Sequence, residues 1–244
     1  MPLLIGLIEL LGYREWTESL GPDREWLIQK TQSKLYEVAV DSVSRYGGFV
    51  VDLTGDSMIA ILNGMTREAL EAVYRDVAAI SPTLVSMRVC SSRTCWKAGR
   101  SVSPGLHVED FVQGPVAAIH IDMNNLTEAR SRLGIMGAAV EVFRTLSNLY
   151  MVLLPRGIPV GYLGGDNLVV FSGYEDLDHV IQLLRSSMKL GEMYKAGVGV
   201  GYTAREALMY AAKALHELRE DRDKALRNPV KVLVSPSVER LEDP

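Results

Sequence analysis

The feature that most limits what this chain can fold into is an internal repeat with a period of about 110 residues, since a duplicated pattern fixes the architecture before any local structure is read. In the first copy an apolar run ending in an acid, Leu7-Ile8-Glu9, precedes a helical pattern from about Asp23 to Arg45. Phe49-Val50-Val51-Asp52-Leu53, Thr54-Gly55-Asp56 and Ser57-Met58-Ile59-Ala60-Ile61 follow. The second copy offers Val116-Ala117-Ala118-Ile119-His120-Ile121-Asp122 and a helical pattern from about Ile135 to Leu154. Val160-Gly161-Tyr162-Leu163, Gly164-Gly165-Asp166 and Leu168-Val169-Val170-Phe171 then keep the order. The acid-to-acid spacing is 47 residues from Glu9 to Asp56 and 44 from Asp122 to Asp166. Each copy adds a helix (about Thr66 to Ile80; Glu175 to Leu190) and a last strand, Leu84 to Val89 or Ala196 to Val200.

Strand, helix, strand, tight hairpin, strand, helix, strand is the βαββαβ order of the ferredoxin-like unit. The expected fold class is therefore α+β, with two tandem units packed as a pseudo-twofold pair. Gly and Asp between paired apolar runs suit hairpin turns that need positive φ. Asn125-x-x-Glu128 and Thr203-x-x-Glu206 read as capping boxes at helix starts. Gly, Ser and Pro interrupt the periodicity between Gly99 and Gly114, which divides the chain into 1–102, a connector at 103–114, and 115–244. A charged amphipathic helix over Leu215 to Arg227, a strand over Val230 to Val234 and a polar tail close the chain. The glycines of Ala196-Gly197-Val198-Gly199-Val200-Gly201 alternate within a strand, which marks close approach of another backbone and does not fit a dinucleotide fingerprint.

With 48% hydrophobic and 23% charged residues, the chain can bury a core and is not a disordered or fibrous sequence. Its apolar opening meets Glu9 long before the roughly 20 residues of a membrane span, and lacks the basic start of a secretory signal. A cytoplasmic location, without membrane partners, is expected. Cys90 and Cys95 are too few for a disulfide framework and make a poor zinc pattern, so they read as reduced thiols at a strand end. A sequence pI near 5.7 lacks the basic excess of a nucleic-acid binder.

An acid in a hairpin is by itself a turn former. Asp122 is different, because it ends an otherwise apolar strand where an unpaired carboxylate is costly, and the topology brings it beside Asp166. Two carboxylates facing one space suit Mg²⁺, which takes oxygen ligands and shares them with nucleotide phosphates. Glu9 and Asp56 hold the equivalent places in the first copy and extend the expected metal set. Met123-Asn124-Asn125-Leu126 enters a helix or turn whose backbone N–H groups favour phosphate oxygens. The charge of a triphosphate together with two carboxylates calls for two divalent ions and a nearby cation, for which Lys195 is placed.

At these residues the sequence resembles the archaeal GTP cyclohydrolase III family, relatives of the palm domains of nucleotidyl and diguanylate cyclases. The resemblance is carried by Ala118-Ile119-His120-Ile121-Asp122-Met123-Asn124-Asn125-Leu126-Thr127, Gly164-Gly165-Asp166-Asn167 and Lys195-Ala196-Gly197-Val198-Gly199-Val200-Gly201-Tyr202-Thr203-Ala204. It implies palm-type units and hydrolytic opening of the GTP imidazole ring to a formylaminopyrimidine nucleotide with release of two phosphates. Magnesium, a monovalent cation such as K⁺, a homo-oligomer and a place in archaeal flavin and deazaflavin (F420) synthesis are also implied. Carried over residue by residue, Asp122 and Asp166 are metal ligands with Met123, and Asn124, Asn125, Leu126, Gly165 and Asn167 lie near the nucleotide. His120 and Lys195 are the candidates for activating water. The first copy departs from the family pattern, with Glu9 standing where members carry aspartate, so the second copy is expected to carry the catalytic carboxylates. A nucleotidyl cyclase and a GTP-sensing palm domain without turnover are the alternatives.

Overall fold

Alternating apolar positions in the strands and one apolar stripe per helix assemble into two units, residues 4–113 and residues 114–244 with 1–3. The computed structural model describes residues 2–97, 103–109, 111–124, 126–188, 193–220 and 228–242. The first unit runs β1 (Leu4–Leu11), α1 (Tyr13–Ser19), α2 (Glu25–Arg45), β2 (Phe49–Asp52), β3 (Ser57–Ile61), α3 (Arg67–Ile80), β4 (Leu84–Ser91), α4 (Ser92–Lys97) and β5 (Gly105–Val108). Its sheet has the order β2-β3-β1-β4-β5, antiparallel except for the β4–β5 pair. Leu4, Ile8 and Leu10 of β1 face a core shared with Leu35, Ala39 and Val43 of α2 and Leu70, Val73 and Val77 of α3. Thr66 caps α3 by accepting a hydrogen bond from the Ala69 N–H at 3.3 Å.

The second unit runs β6 (Val116–Met123), α5 (Leu126–Leu153), β7 (Val160–Gly164), β8 (Asn167–Gly173), α6 (Leu177–Ser187), β9 (Tyr194–Gly201), α7 (Ala204–Glu220), β10 (Val230–Val234) and α8 (Pro236–Glu242). Its sheet order is β10-β9-β6-β8-β7, with β10 parallel to β9. The four antiparallel strands thus repeat the arrangement of the first sheet, and each sheet gains a parallel fifth strand. Odd-numbered residues of β6, Ala117, Ile119, Ile121 and Met123, face Ala138, Val142 and Leu149 of α5 and Val180 and Leu184 of α6. Each large aliphatic side chain buried there is worth about 2 kcal/mol.

The opposite face of this sheet is covered by α7, and the alternating glycines make that possible. A Cβ on Gly199 would lie 2.0 Å from the Ala207 carbonyl oxygen, and one on Gly197 would lie 2.2 Å from that of Ala211. Helix and strand touch backbone to backbone, as the alternation predicts. Thr203 starts α7 by accepting from the Glu206 N–H at 3.1 Å, while the Glu206 carboxylate accepts from the Tyr202 N–H at 2.8 Å. The same carboxylate accepts from the hydroxyls of Ser235 and Ser237 at the start of α8.

Several expectations are corrected. Cys90 and Cys95 form a disulfide and are not thiols, because the turn from β4 into α4 brings their Cα atoms to 5.5 Å, within bridging range. The polar tail contains α8, held by the Glu206 network. β5 lies within the stretch read as a connector and pairs with β4. The helix expected from about Ile135 is present as expected and follows Gly134, whose φ of 73° separates it from an additional helical segment beginning at Leu126. Asn125 of the first capping box, residues 189–190 and 221–227 of two expected helices, and 98–102 of the boundary lie outside the described residues.

Gly199→Ala is expected to cost about 3 kcal/mol or more, because backbone atoms must move to admit the methyl group; urea denaturation measures it. Burial alone would raise the Glu206 carboxyl, but hydrogen bonds from Ser235, Tyr202 and Ser237 outweigh it and lower the pKa. A carboxyl whose folded pKa is depressed contributes stability that is present above the unfolded value and lost as pH falls through the folded one. The advantage of the parent protein over Glu206→Gln in thermal melts should therefore be full above the ordinary carboxylate pKa of 4.5 and shrink as the pH falls below it.

Candidate functional site

β6 pairs without a bulge to β8 and β9, so His120 and Asp122, two residues apart, share the face that α7 covers. Asp122 is 3% exposed. Its Oδ2 accepts from Lys195 Nζ at 2.7 Å and from Arg219 Nε at 3.0 Å, with Arg219 Nη2 also at 3.0 Å. Lys195 reaches it from the facing position of β9. Arg219 reaches it because helix and strand keep step: four residues of helix rise about 6 Å and two residues of strand about 6.6 Å. Leu215 sits over Gly197, so the next turn of α7 sets Arg219 over Lys195. Lys195 Nζ also donates to Asn124 Oδ1 at 3.0 Å, tying the entry of α5 to the same cation.

The hairpin closes beside these groups. Gly164 and Gly165, with φ of 102° and 60°, turn the chain from β7 into β8, and the Met123 N–H donates to the Asp166 carbonyl at 3.0 Å. Asn167 Nδ2 donates to Asp166 Oδ1 at 2.6 Å, while its Oδ1 lies 2.9 Å from His120 Nε2. The amide orientation assigns the proton to Nε2, so His120 Nδ1 is a bare acceptor, buried without a hydrogen-bond partner. Burial lowers the His120 pKa against the opposing bond from Asn167, which keeps the ring neutral near pH 7. Tyr162 of β7 donates its hydroxyl to the Gly165 carbonyl at 3.2 Å.

Of the residues expected in the site, the structure brings together His120, Asp122, Asn124, Asp166, Asn167 and Lys195. Met123 and Leu126 turn their side chains into the core, so each offers a ligand its backbone alone. Asn125 lies outside the described residues. Arg219 and Tyr162 were not anticipated; the glycine stripe under α7 is the signal that could have located Arg219.

In the first unit the Leu10 N–H donates to the Asp56 carbonyl at 3.0 Å, the counterpart of the Met123–Asp166 bond. Glu9 lies between Ser57 and Ser86 in register. The Asp56 carboxylate accepts from the Thr54 hydroxyl at 2.6 Å. Gln32 of α2 rests against this hairpin at Gly55 and donates to the Tyr13 hydroxyl at 2.8 Å. Tyr13 is raised in pKa by burial above all, with the nearby Asp56 adding to the shift. Among the described residues no three His, Cys, Asp or Glu side chains converge as a metal cage, and no helix is long and apolar enough to cross a membrane.

The family model described as GTP cyclohydrolase III matches residues 5–113 and 103–234. A GTP cyclohydrolase III of Saccharolobus solfataricus is 32% identical over 223 residues, covering 89% of this chain and 95% of the relative. One of Aeropyrum pernix is 35% identical over 228 residues, covering 88% and 91%. Among solved structures, an EAL/GGDEF domain protein from M. capsulatus is 18% identical with a TM-score of 0.41, over 50% of this chain and 86% of that one. The GGDEF domain of DgcB from Caulobacter crescentus, in complex with c-di-GMP, is 12% identical with a TM-score of 0.42, over 48% and 77%.

Removing the Asp122 charge leaves two cations facing a site that was neutral. Asp122→Asn should cost about 2–4 kcal/mol in chemical denaturation, and Arg219→Ala far less, since the guanidinium side chain is 47% exposed and can rehydrate.

Proposed function

This chain belongs to the GTP cyclohydrolase III family, and on that footing we propose that it hydrolyses GTP to 2-amino-5-formylamino-6-ribosylamino-4(3H)-pyrimidinone 5′-phosphate, releasing two phosphates. The observation that carries the reading is the meeting of Asp122 and Asp166 at one sheet end with Lys195, Arg219 and the entry of α5 beside them. Water adds at the carbon between the two imidazole nitrogens, a ring C–N bond breaks to leave the formylamino group, and the phosphate chain is cut by hydrolysis.

The donors suit a hard cation, because the acids near this end of the sheet offer oxygen ligands and the two cysteines are joined to each other. Asp122, Asp166 and the Met123 carbonyl would hold Mg²⁺, as two ions, with phosphate oxygens and water completing the coordination and a monovalent cation such as K⁺ assisting. Bound there, Mg²⁺ supplies charge neutralisation of the phosphates and a water of lowered pKa. Glu9 and Asp56 are the equivalent ligands of the first unit.

The chain's own groups do the rest. Lys195 and Arg219 exchange part of their hold on Asp122 for the incoming phosphates, so the carboxylate gains capacity for metal as the nucleotide arrives. Asn124, Asn125 and the following backbone receive phosphate oxygens at the start of α5, and Gly165 leaves the hairpin open to the nucleotide. His120, neutral, donates to Asn167 and thereby keeps Asn167 on Asp166, which is a positioning role. The matching Leu10–Asp56 and Met123–Asp166 bonds support reading the units as a pseudo-twofold pair of ferredoxin-like palm-type folds. The product suits archaeal flavin and deazaflavin synthesis in the cytoplasm.

The pairing of Asp122 with two cations favours one second reading, GTP binding without turnover. Mass analysis of GTP incubated with the protein and Mg²⁺ decides. The proposal expects the formylaminopyrimidine monophosphate and two equivalents of phosphate, with at least a ~100-fold loss for Asp122→Asn and Asp166→Asn. Unchanged GTP that remains bound supports the sensor, and cyclic nucleotide with pyrophosphate overturns both readings.

A further inference from the structure

The two units fasten the segment that follows their fourth strand by different means. The register that pairs Asp122 with Lys195 pairs Glu9 with Ser86, so Arg88 and Cys90 stand where the second unit has Gly197 and Gly199. Side chains at these places exclude the backbone contact by which α7 lies on its sheet. Over its 17 residues α7 also buries Ala204, Ala207, Ala211, Ala214, Leu215 and Leu218. Its counterpart α4 has six residues, of which only Ser92 and Cys95 are buried, and Trp96 is left 52% exposed. A helix of that length is not stable by itself in water. At its start the Thr94 N–H donates to the Ser91 hydroxyl at 3.3 Å and the two hydroxyls meet at 2.8 Å, which closes a single turn. The covalent tie from α4 to the sheet runs from Cys95 to Cys90.

We propose that this disulfide is a redox-dependent latch. Oxidised, it holds α4 against β4 and β1; reduced, it lets α4 leave the sheet while the rest of the unit stays folded. The reductant is a dithiol. One of its thiolates attacks a cysteine sulfur, which breaks the Cys90–Cys95 bond and forms a mixed disulfide; its second sulfur then displaces the protein sulfur. The latch gains two electrons, the two protons of the dithiol end on the cysteines, and the dithiol leaves with its own sulfurs joined. Both cysteines are buried, so attack follows a local opening of α4 and the latch responds slowly. A dithiol suits such a bond better than a monothiol, whose mixed disulfide must wait for a second encounter. The released stretch is bounded, since β4 keeps its antiparallel pairing with β1 and β5 its parallel pairing with β4. None of this depends on which reaction the protein catalyses.

Limited trypsin digestion of the intact chain, with cleavage sites read by mass, tests it. Arg93 and Lys97 are the tryptic positions of α4, and both are exposed. Protein reduced with dithiothreitol and desalted under argon should be cut there on the order of 30-fold faster than the oxidised protein, the loop-closure contribution of so short a ring. Reoxidation should restore resistance. Cys90→Ala/Cys95→Ala should be cut at the reduced rate whether or not it has met dithiothreitol. Far-UV circular dichroism should be unaltered in every case, and alkylation of the native protein should find no thiol before reduction and both after it. Equal cleavage at Arg93 and Lys97 in the two redox states, two reactive thiols in the oxidised protein, or loss of the circular dichroism signal when the parent is reduced overturns the proposal.

Discussion

A carboxylate sunk at the end of an apolar strand is costly unless cations are brought to it, and the second unit is organised around that requirement. Asp122 receives one cation from the neighbouring strand and one from a helix 97 residues further along the chain. The helix can deliver Arg219 because it lies directly on the sheet, and it lies there because residues 197 and 199 have no side chains. Glycine spacing, helix register and the charge state of the site are one chain of cause.

That arrangement gives the site its character before any ligand enters. Two carboxylates and two basic side chains sum to no net charge, so a metal ion alone meets a site already balanced. On the function proposed above, a nucleotide would change the balance, since its phosphates would offer the basic groups a competing partner and leave carboxylate oxygens for a divalent ion. The first unit keeps the hairpin bond and the acids but surrounds Asp56 with Thr54 and Tyr13. The duplicated frames have thus acquired different surroundings.

The βαββαβ order, both hairpins and the apolar faces were legible in the sequence because period-2 and period-3.6 patterns and Gly-Asp turns act over short distances. The alternating glycines were legible as a packing signal for the same reason. What escaped was long-range or locally weak. Gly105–Val108 carries only four residues of strand and reads as a break; its pairing comes from β4. Cys90 and Cys95 gave no framework pattern, and only the turn between them brought their Cα atoms within reach. Arg219 looked like one more charge on a solvated helix face, since nothing within its own segment says that a strand carboxylate lies beneath. His120 was legible as a neighbour of Asp122, yet its part in holding Asn167 depends on hairpin geometry.

The position of α7 also has a bearing on biosynthesis. Ribosomes release chains from the amino end, so Asp122, its strand and the hairpin with Asp166 emerge well ahead of the helix that covers them. Until Arg219 leaves the exit tunnel, the nascent sheet exposes a glycine-lined groove and an acid matched by Lys195 at most. The corner around Asp122 is then among the last parts of the molecule to mature, completed by the same step that seals its sheet.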